Sequence, residues 1–273
     1  MSVIQTGSVR IKNAQVEAKG PPMASLRHML FDSDWTEWLP IYAWLIEHEE
    51  GAIVVDAGET SRVNDRGYRP RWHPFNRMAV QFRVRPEDEI GPQLKLRGIA
   101  AGDVRQVVMT HLHTDHAGGL AHFPKSKIWV NQPEYESASG FFGKVLGYLP
   151  HRWPRWWKPA FLPWEQEPWG PFATSYRLTR LGDVLAVPTP GHTPGHVAVV
   201  VRGDVNIFIA GDVSYNERLL RAGKVDGVSP DQAVSLATGK SIVDFTKREK
   251  LVYLPSHDPD APRRLAERSL LIS

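Results

Sequence analysis

The stretch Val104-Arg105-Gln106-Val107-Val108-Met109-Thr110-His111-Leu112-His113-Thr114-Asp115-His116 decides how this sequence is read. Val104 to Thr110 is a short β-branched run without helical spacing, which predicts a strand, and it ends directly on His111. Three imidazoles and one carboxylate then fall within His111 to His116, where alternating positions of an extended or looped segment converge on one point. The competing explanation is a hydrogen-bonded surface loop. A cluster this dense reads instead as metal-ligand chemistry.

Working outward, three further candidates stand beside strand-like runs: His192 in Thr189-Pro190-Gly191-His192-Thr193-Pro194-Gly195-His196, Asp212 in Gly211-Asp212, and His257 in Ser256-His257-Asp258. Pro and Gly around His192 fix a tight loop that presents the ring. Together the histidines 111, 113, 116, 192 and 257 with Asp115 and Asp212 match the nitrogen and oxygen donors of two divalent ions about 3.5–4 Å apart, one carboxylate bridging. The sequence has no cysteine, which excludes disulfides, zinc-thiolate sites and thiol nucleophiles. Zinc suits the remaining donors, and cobalt, manganese and iron accept the same set. His28, His48, His73, His122 and His151 lack ligand-like neighbours and are expected at or just below the surface, and His196 is expected to support the site rather than coordinate.

Composition bounds the answer. With 273 residues the expectation is one domain, 1-273, carrying insertions near 59-85 and 144-172. A hydrophobic share of 42% against 23% charged residues is ordinary for a globular chain. No run approaches the ~20 apolar residues of a membrane span and no signal-peptide pattern opens the chain, so the expected location is cytoplasmic, with no transmembrane segment. A formal charge of +3, with basic residues scattered among acids, predicts no nucleic-acid binding.

Ile41 to Ile46 and Ala52 to Val55, separated by His48-Glu49-Glu50-Gly51, predict a β-hairpin. Strands are also expected at 128–130, 184–187, 197–201, 207–209 and 251–254, and helices at 87–97, 133–139 and 230–247, the last with Ala233, Leu236, Ala237 and Ile242 on its apolar face. Residues 59–85 read as an excursion from the core. Lys144 to Phe172 holds five of the ten tryptophans and six of the 22 prolines, which reads as an irregular flap: a core cover, a homodimer contact or a lid over an apolar channel.

In this order the segments resemble the metallo-β-lactamase superfamily. The resemblance implies an α+β fold, a four-layer αββα sandwich with the metals at one sheet edge. It implies that His111, His113 and His192 hold one ion, that Asp115, His116 and His257 hold the second, and that Asp212 bridges them. Asp56 and Gly58, in Val54-Val55-Asp56-Ala57-Gly58, resemble the early Asp-Gly turn that supports the metal loops without binding metal, and Gly118 and Gly119 match the loop after the ligands.

One feature narrows the resemblance. Gly211-Asp212-Val213-Ser214-Tyr215 places a tyrosine three residues after Asp212, as in the N-acyl homoserine lactone lactonases, the quorum-quenching lactonases. That similarity implies a dinuclear hydrolase in which a metal-bridging hydroxide attacks the lactone carbonyl. Asp115 then passes a proton to the leaving alkoxide and Tyr215 assists at the oxyanion. The implied substrate is a small ester or lactone with an apolar tail. The alternatives on the same site are phosphotriester or aryl-ester hydrolysis and a glyoxalase II-like thioester hydrolysis. For the latter only Arg263, Arg264 and Arg268 offer a basic C-terminal region. A non-enzymatic binding module is the opposing class, and an intact set of seven ligands argues against it.

Overall fold

The computed structural model describes residues 1–70, 72–141, 143–144 and 146–272. Arg71 and Val145, which fall in the two segments read as insertions, lie outside the described residues. The chain forms two compact units, the first made of Met1–Lys12 and Leu30–Phe161, the second of Asn13–Met29 and Leu162–Ser273.

The first unit is built on seven strands: β1 (Ser2–Ile11), β2 (Leu39–Ile46), β3 (Ile53–Val55), β4 (Val80–Arg83), β5 (Gln106–Val108), β6 (Lys127–Val130) and β7 (Ala160–Phe161), ordered β4-β1-β2-β3-β5-β6-β7. β2 and β3 form the expected hairpin, with Trp44 opposite Val55. From β3 onward the pairs are parallel, Val55 beside Val108 and Val108 beside Trp129, so β3 and β5 deliver the residues after them to the same edge. Both are short and buried on both faces, which explains runs of Ile and Val without alternation. The helix Ile90–Leu96 packs Ile90 and Leu94 against Val54, Val107 and Phe123.

Two findings differ from the sequence reading here. β1 and β4 extend the sheet, Ile11 opposite Val80, so residues 80–83 belong to the core sheet and not to an excursion. β1 escaped notice because a register shift between Gln5 and Ser8, with Gly7 at φ 126, breaks its alternation. His73, expected near the surface, is buried.

The second unit holds β8 (Tyr176–Arg177), β9 (Val184–Pro188), β10 (Val197–Val201), β11 (Asn206–Gly211) and β12 (Leu251–Pro255), ordered β12-β11-β10-β9-β8. β9 and β11 both run antiparallel to β10, and β12 runs parallel to β11, so β9, β11 and β12 all end at one edge. Helix Gln232–Phe245 starts at Asp231, whose carboxylate accepts from the amides of Ala233 and Val234. Its buried face is Ser235, Thr238 and Ile242, while Ala233, Leu236 and Ala237 face outward, because the Thr238 hydroxyl serves the loop after β9 and Gly191 of that loop packs closely on Ser235.

Part of the tryptophan-rich segment packs on core: Trp157 is buried and Trp153 and Trp169 are half-buried against core clusters, while Trp156 is exposed. Trp153 stacks on Tyr135 and meets Trp157 edge-on in the first unit, and Trp169 and Phe172 stack on Phe208 in the second. It is not wholly irregular, since β7 pairs Phe161 with Val130. Among the described residues no helix is long and apolar enough to cross a membrane.

Candidate metal centre

In the first unit the chain leaves β5 through Thr110 and enters the short helix Thr114–Ala117, with His113 as its N-cap residue. The tight curl gathers the rings: His111 and His113 centroids are 4.7 Å apart and those of His111 and His116 4.0 Å. Donor atoms of His111 and His113, of His111 and His116, and of Asp115 and His116 come within 4.8 Å of one another. His111 and His116 are fully buried, and His113 stacks on Tyr148 at 4.9 Å.

Asp56 organises these rings from the end of the neighbouring strand. Its φ of 62 lies in the left-handed region that Asp tolerates better than most residues. One carboxylate oxygen accepts from the Thr110 amide at 2.7 Å, and the other accepts from His116 Nδ1 at 2.8 Å and from the Thr110 hydroxyl at 2.8 Å. Since that hydroxyl donates to Asp56, its oxygen accepts from His111 Nδ1, 3.1 Å away. Both rings therefore carry their proton on Nδ1 and keep the lone pair on Nε2. The early Asp-Gly turn thus supports the ligand loop as expected. Gly119 completes it, since its amide donates to Gly58 O and a Cβ there would meet Ala57 O at 2.2 Å.

Two residues absent from the sequence reading hold this loop. Glu134, fully buried, accepts from the Leu112 amide at 2.9 Å. Glu59 accepts from the Thr60 amide, and burial, with a smaller push from Asp115, raises its pKa to about 8.

In the second unit His192, Asp212 and His257 follow β9, β11 and β12 respectively. Asp212 Oδ2 lies 3.3 Å from His257 Nε2 and 3.6 Å from His192 Nε2, which places one carboxylate between two imidazoles. Gly191 has a φ of 152 and packs so closely on the helix that a Cβ would meet Ser235 at 2.6 Å; the Thr238 hydroxyl donates to Pro190 O at 2.6 Å. His196 accepts from the Asp212 amide through Nε2 at 3.1 Å, so its proton sits on Nδ1 and points to Thr189 Oγ1 at 2.8 Å. Both nitrogens serve the protein, which makes His196 a support for Asp212 as expected.

Tyr215 is buried, with its ring stacked on His257 at 5.4 Å and edge-on to His192 at 6.5 Å. Its hydroxyl oxygen accepts from Gln15 Nε2 at 3.1 Å, which leaves the phenol proton to be donated elsewhere. The turn Asp226 to Ser229 holds Gln15, the Gly227 amide donating to Gln15 O at 2.8 Å. The Asp226 carboxylate lies 3.2 Å from His192 Nδ1. Gln15 and Asp226 were both missed. The only sequence signal was Asp226-Gly227-Val228-Ser229, a turn signature ahead of Pro230.

The donors fit divalent metal ions. Imidazoles whose Nδ1 is engaged by a carboxylate or by a carboxylate-bound hydroxyl, together with aspartates, are ligands for borderline divalent cations.

The comparisons with known proteins agree with this chemistry. The family model described as the metallo-beta-lactamase superfamily matches residues 36–257. An N-acyl homoserine lactonase of Bacillus thuringiensis subsp. kurstaki, AiiA, is 30% identical over 233 residues, 81% of this chain and 82% of the relative. A solved N-acyl homoserine lactone hydrolase, with the product N-hexanoyl-L-homoserine at its catalytic metal centre, superposes with a TM-score of 0.74 at 23% identity, covering 99% of this chain and 96% of the other. AidC, a dizinc quorum-quenching lactonase, gives a TM-score of 0.66 at 16% identity over 95% of this chain and 87% of its own. This chain belongs to the metallo-β-lactamase superfamily, has its α+β sandwich fold, and is a metal-dependent hydrolase.

Proposed function

We propose that this hydrolase opens lactone rings, N-acyl homoserine lactones foremost, at a centre of two divalent ions. The observation that carries the substrate is the 30% identity, across four fifths of both chains, to an N-acyl homoserine lactonase. His111, His113, Asp115, His116, His192, Asp212 and His257 would hold the metals, with Asp212 shared. The dizinc centre named for AidC supports zinc and a count of two.

When bound, such ions supply hydroxide at neutral pH and polarise the carbonyl under attack. The chain's own residues do the rest. Tyr215, its oxygen already accepting from Gln15, donates its proton to the oxyanion formed on the ring carbonyl. Asp115, at the first turn of helix Thr114–Ala117, takes the proton of the hydroxyl added to the carbonyl and passes it to the leaving alkoxide. Asp56 and the Thr110 hydroxyl keep the histidine protons on Nδ1 throughout.

The test is metal analysis of purified protein followed by acid release from acyl homoserine lactones of short and long tail. Two ions per chain and turnover of these lactones are expected. Less than one ion per chain, with no hydrolysis after zinc, cobalt or manganese is added, would refute the metal centre. Inert lactones beside rapid turnover of aryl esters or phosphotriesters would move the substrate to that class.

A further inference from the structure

Asp226 belongs to none of the ligand motifs, yet the residue is only 4% exposed and both of its carboxylate oxygens are engaged. Oδ1 accepts from the amides of Val228 and Ser229, both at 2.8 Å. Oδ2 accepts from the Ser229 hydroxyl at 2.9 Å and faces His192 Nδ1 at 3.2 Å. Ser229 Oγ accepts in turn from Ser235 Oγ at 2.9 Å, at the start of helix Gln232–Phe245. The carboxylate is thus anchored to a turn on one side and to a helix on the other.

We propose that Asp226 is a positioning residue for the metal held by His192. A carboxylate that already accepts from two amides and a hydroxyl offers His192 Nδ1 an acceptor, so the proton of the ring stays on Nδ1 and the lone pair on Nε2, the nitrogen 3.6 Å from Asp212 Oδ2. Asp226 therefore selects the tautomer that binds metal and sets the plane of the ring. This inference rests on the reading of His192 as a ligand.

The anchoring makes a discriminating experiment possible. In Asp226→Asn the two amides at Oδ1 require an oxygen, so the amide NH2 takes the place of Oδ2. It then donates to His192 Nδ1, and the ring proton moves to Nε2, which no longer binds metal. The logic is that of a triad Asp→Asn change that imposes the wrong imidazole tautomer. Asp226→Ala removes the restraint but leaves the lone pair on Nε2 accessible. Zinc affinity is read by competition with a chromophoric chelator, cobalt(II) absorption reports coordination, and thermal unfolding is followed without metal. His192→Ala identifies the ion concerned.

We expect Asp226→Asn to weaken that ion by about 100-fold and Asp226→Ala by about 10-fold, the range known for partners of metal-bound histidines. Without metal, Asp226→Asn should melt closer to the parent than Asp226→Ala, which strands two amides. A merely structural role gives the opposite order for zinc, the near-isosteric Asn being milder. An Asn variant that binds zinc as tightly as the parent, or more tightly than the Ala variant, overturns this inference alone. A parent that binds no zinc, or a His192→Ala protein that binds like the parent, overturns it together with the reading of His192 as a ligand.

Discussion

Replacing Asp56 isolates what holds the first ligand loop. Its carboxylate is fully buried and accepts from the Thr110 amide, the Thr110 hydroxyl and His116 Nδ1, while its backbone sits at φ 62. In Asp56→Ala the Thr110 amide is left buried without an acceptor, which costs about 1–3 kcal/mol. Ala in the left-handed region adds about 1–2 kcal/mol. Together that is roughly 2–5 kcal/mol, and at about 2–4 °C per kcal/mol for a chain of this size the melting temperature should fall by roughly 4–20 °C. Asp56→Gly removes only the backbone part and should recover about 1 kcal/mol of the loss. Asp56→Asn tolerates the conformation and keeps an oxygen for the Thr110 amide, so it should stay closest to the parent in the metal-free state. Differential scanning calorimetry in a chelating buffer measures all three. If Asp56→Ala melts within 2 °C of the parent, or if the Gly variant is less stable than the Ala variant, then neither the stranded amide nor the backbone strain has been assigned correctly.

Tyr215→Phe should retain its metal and lower kcat on lactones by about 10²–10³-fold with little change in KM, the loss seen when one oxyanion donor is removed; unchanged steady-state kinetics would remove Tyr215 from the reaction. Glu59 has a folded pKa raised to about 8 against an ordinary value of 4.5, so the folded state holds the proton more tightly than the unfolded chain. Its stabilising contribution is complete below pH 4.5 and is lost as pH rises toward 8. Melting temperatures of metal-free Glu59→Gln and parent, compared from pH 5 to pH 9, should therefore shift in favour of the variant up to about pH 8 and then level off. A difference that is flat across that range would contradict the raised pKa.

The candidate ligand segments were legible because each consists of neighbours in sequence. His111 to His116 lie on one tight curl, and the residues after β9, β11 and β12 stand where short apolar runs stop. The hairpin of β2 and β3 was legible for the same reason. β1 and β4 were not, because one is interrupted at Gly7 and the other alternates over only four residues and pairs with a strand 69 to 75 residues earlier. The tryptophans of 144–172 carried no signal of direction, and only packing shows that Trp157 is part of a core and that Trp153 and Trp169 pack against cores. Leu236 looked like part of the buried face of its helix, yet Ser235 and Thr238 are buried because the loop of His192 needs the Thr238 hydroxyl and the small volume of Ser235.

The sequence by itself determined the candidate donor set, its order along the chain and the strand ends that carry it, since these follow from local spacing and local hydropathy. Tertiary structure alone decided which nitrogen of each imidazole is offered and where Tyr215 keeps its proton. Those depend on Asp56, 60 residues from His116, on Asp226, 34 residues from His192, and on Gln15, 200 residues from Tyr215. A hydrogen bond is read from distance and direction in space, and no periodicity along a chain encodes a partner so far away.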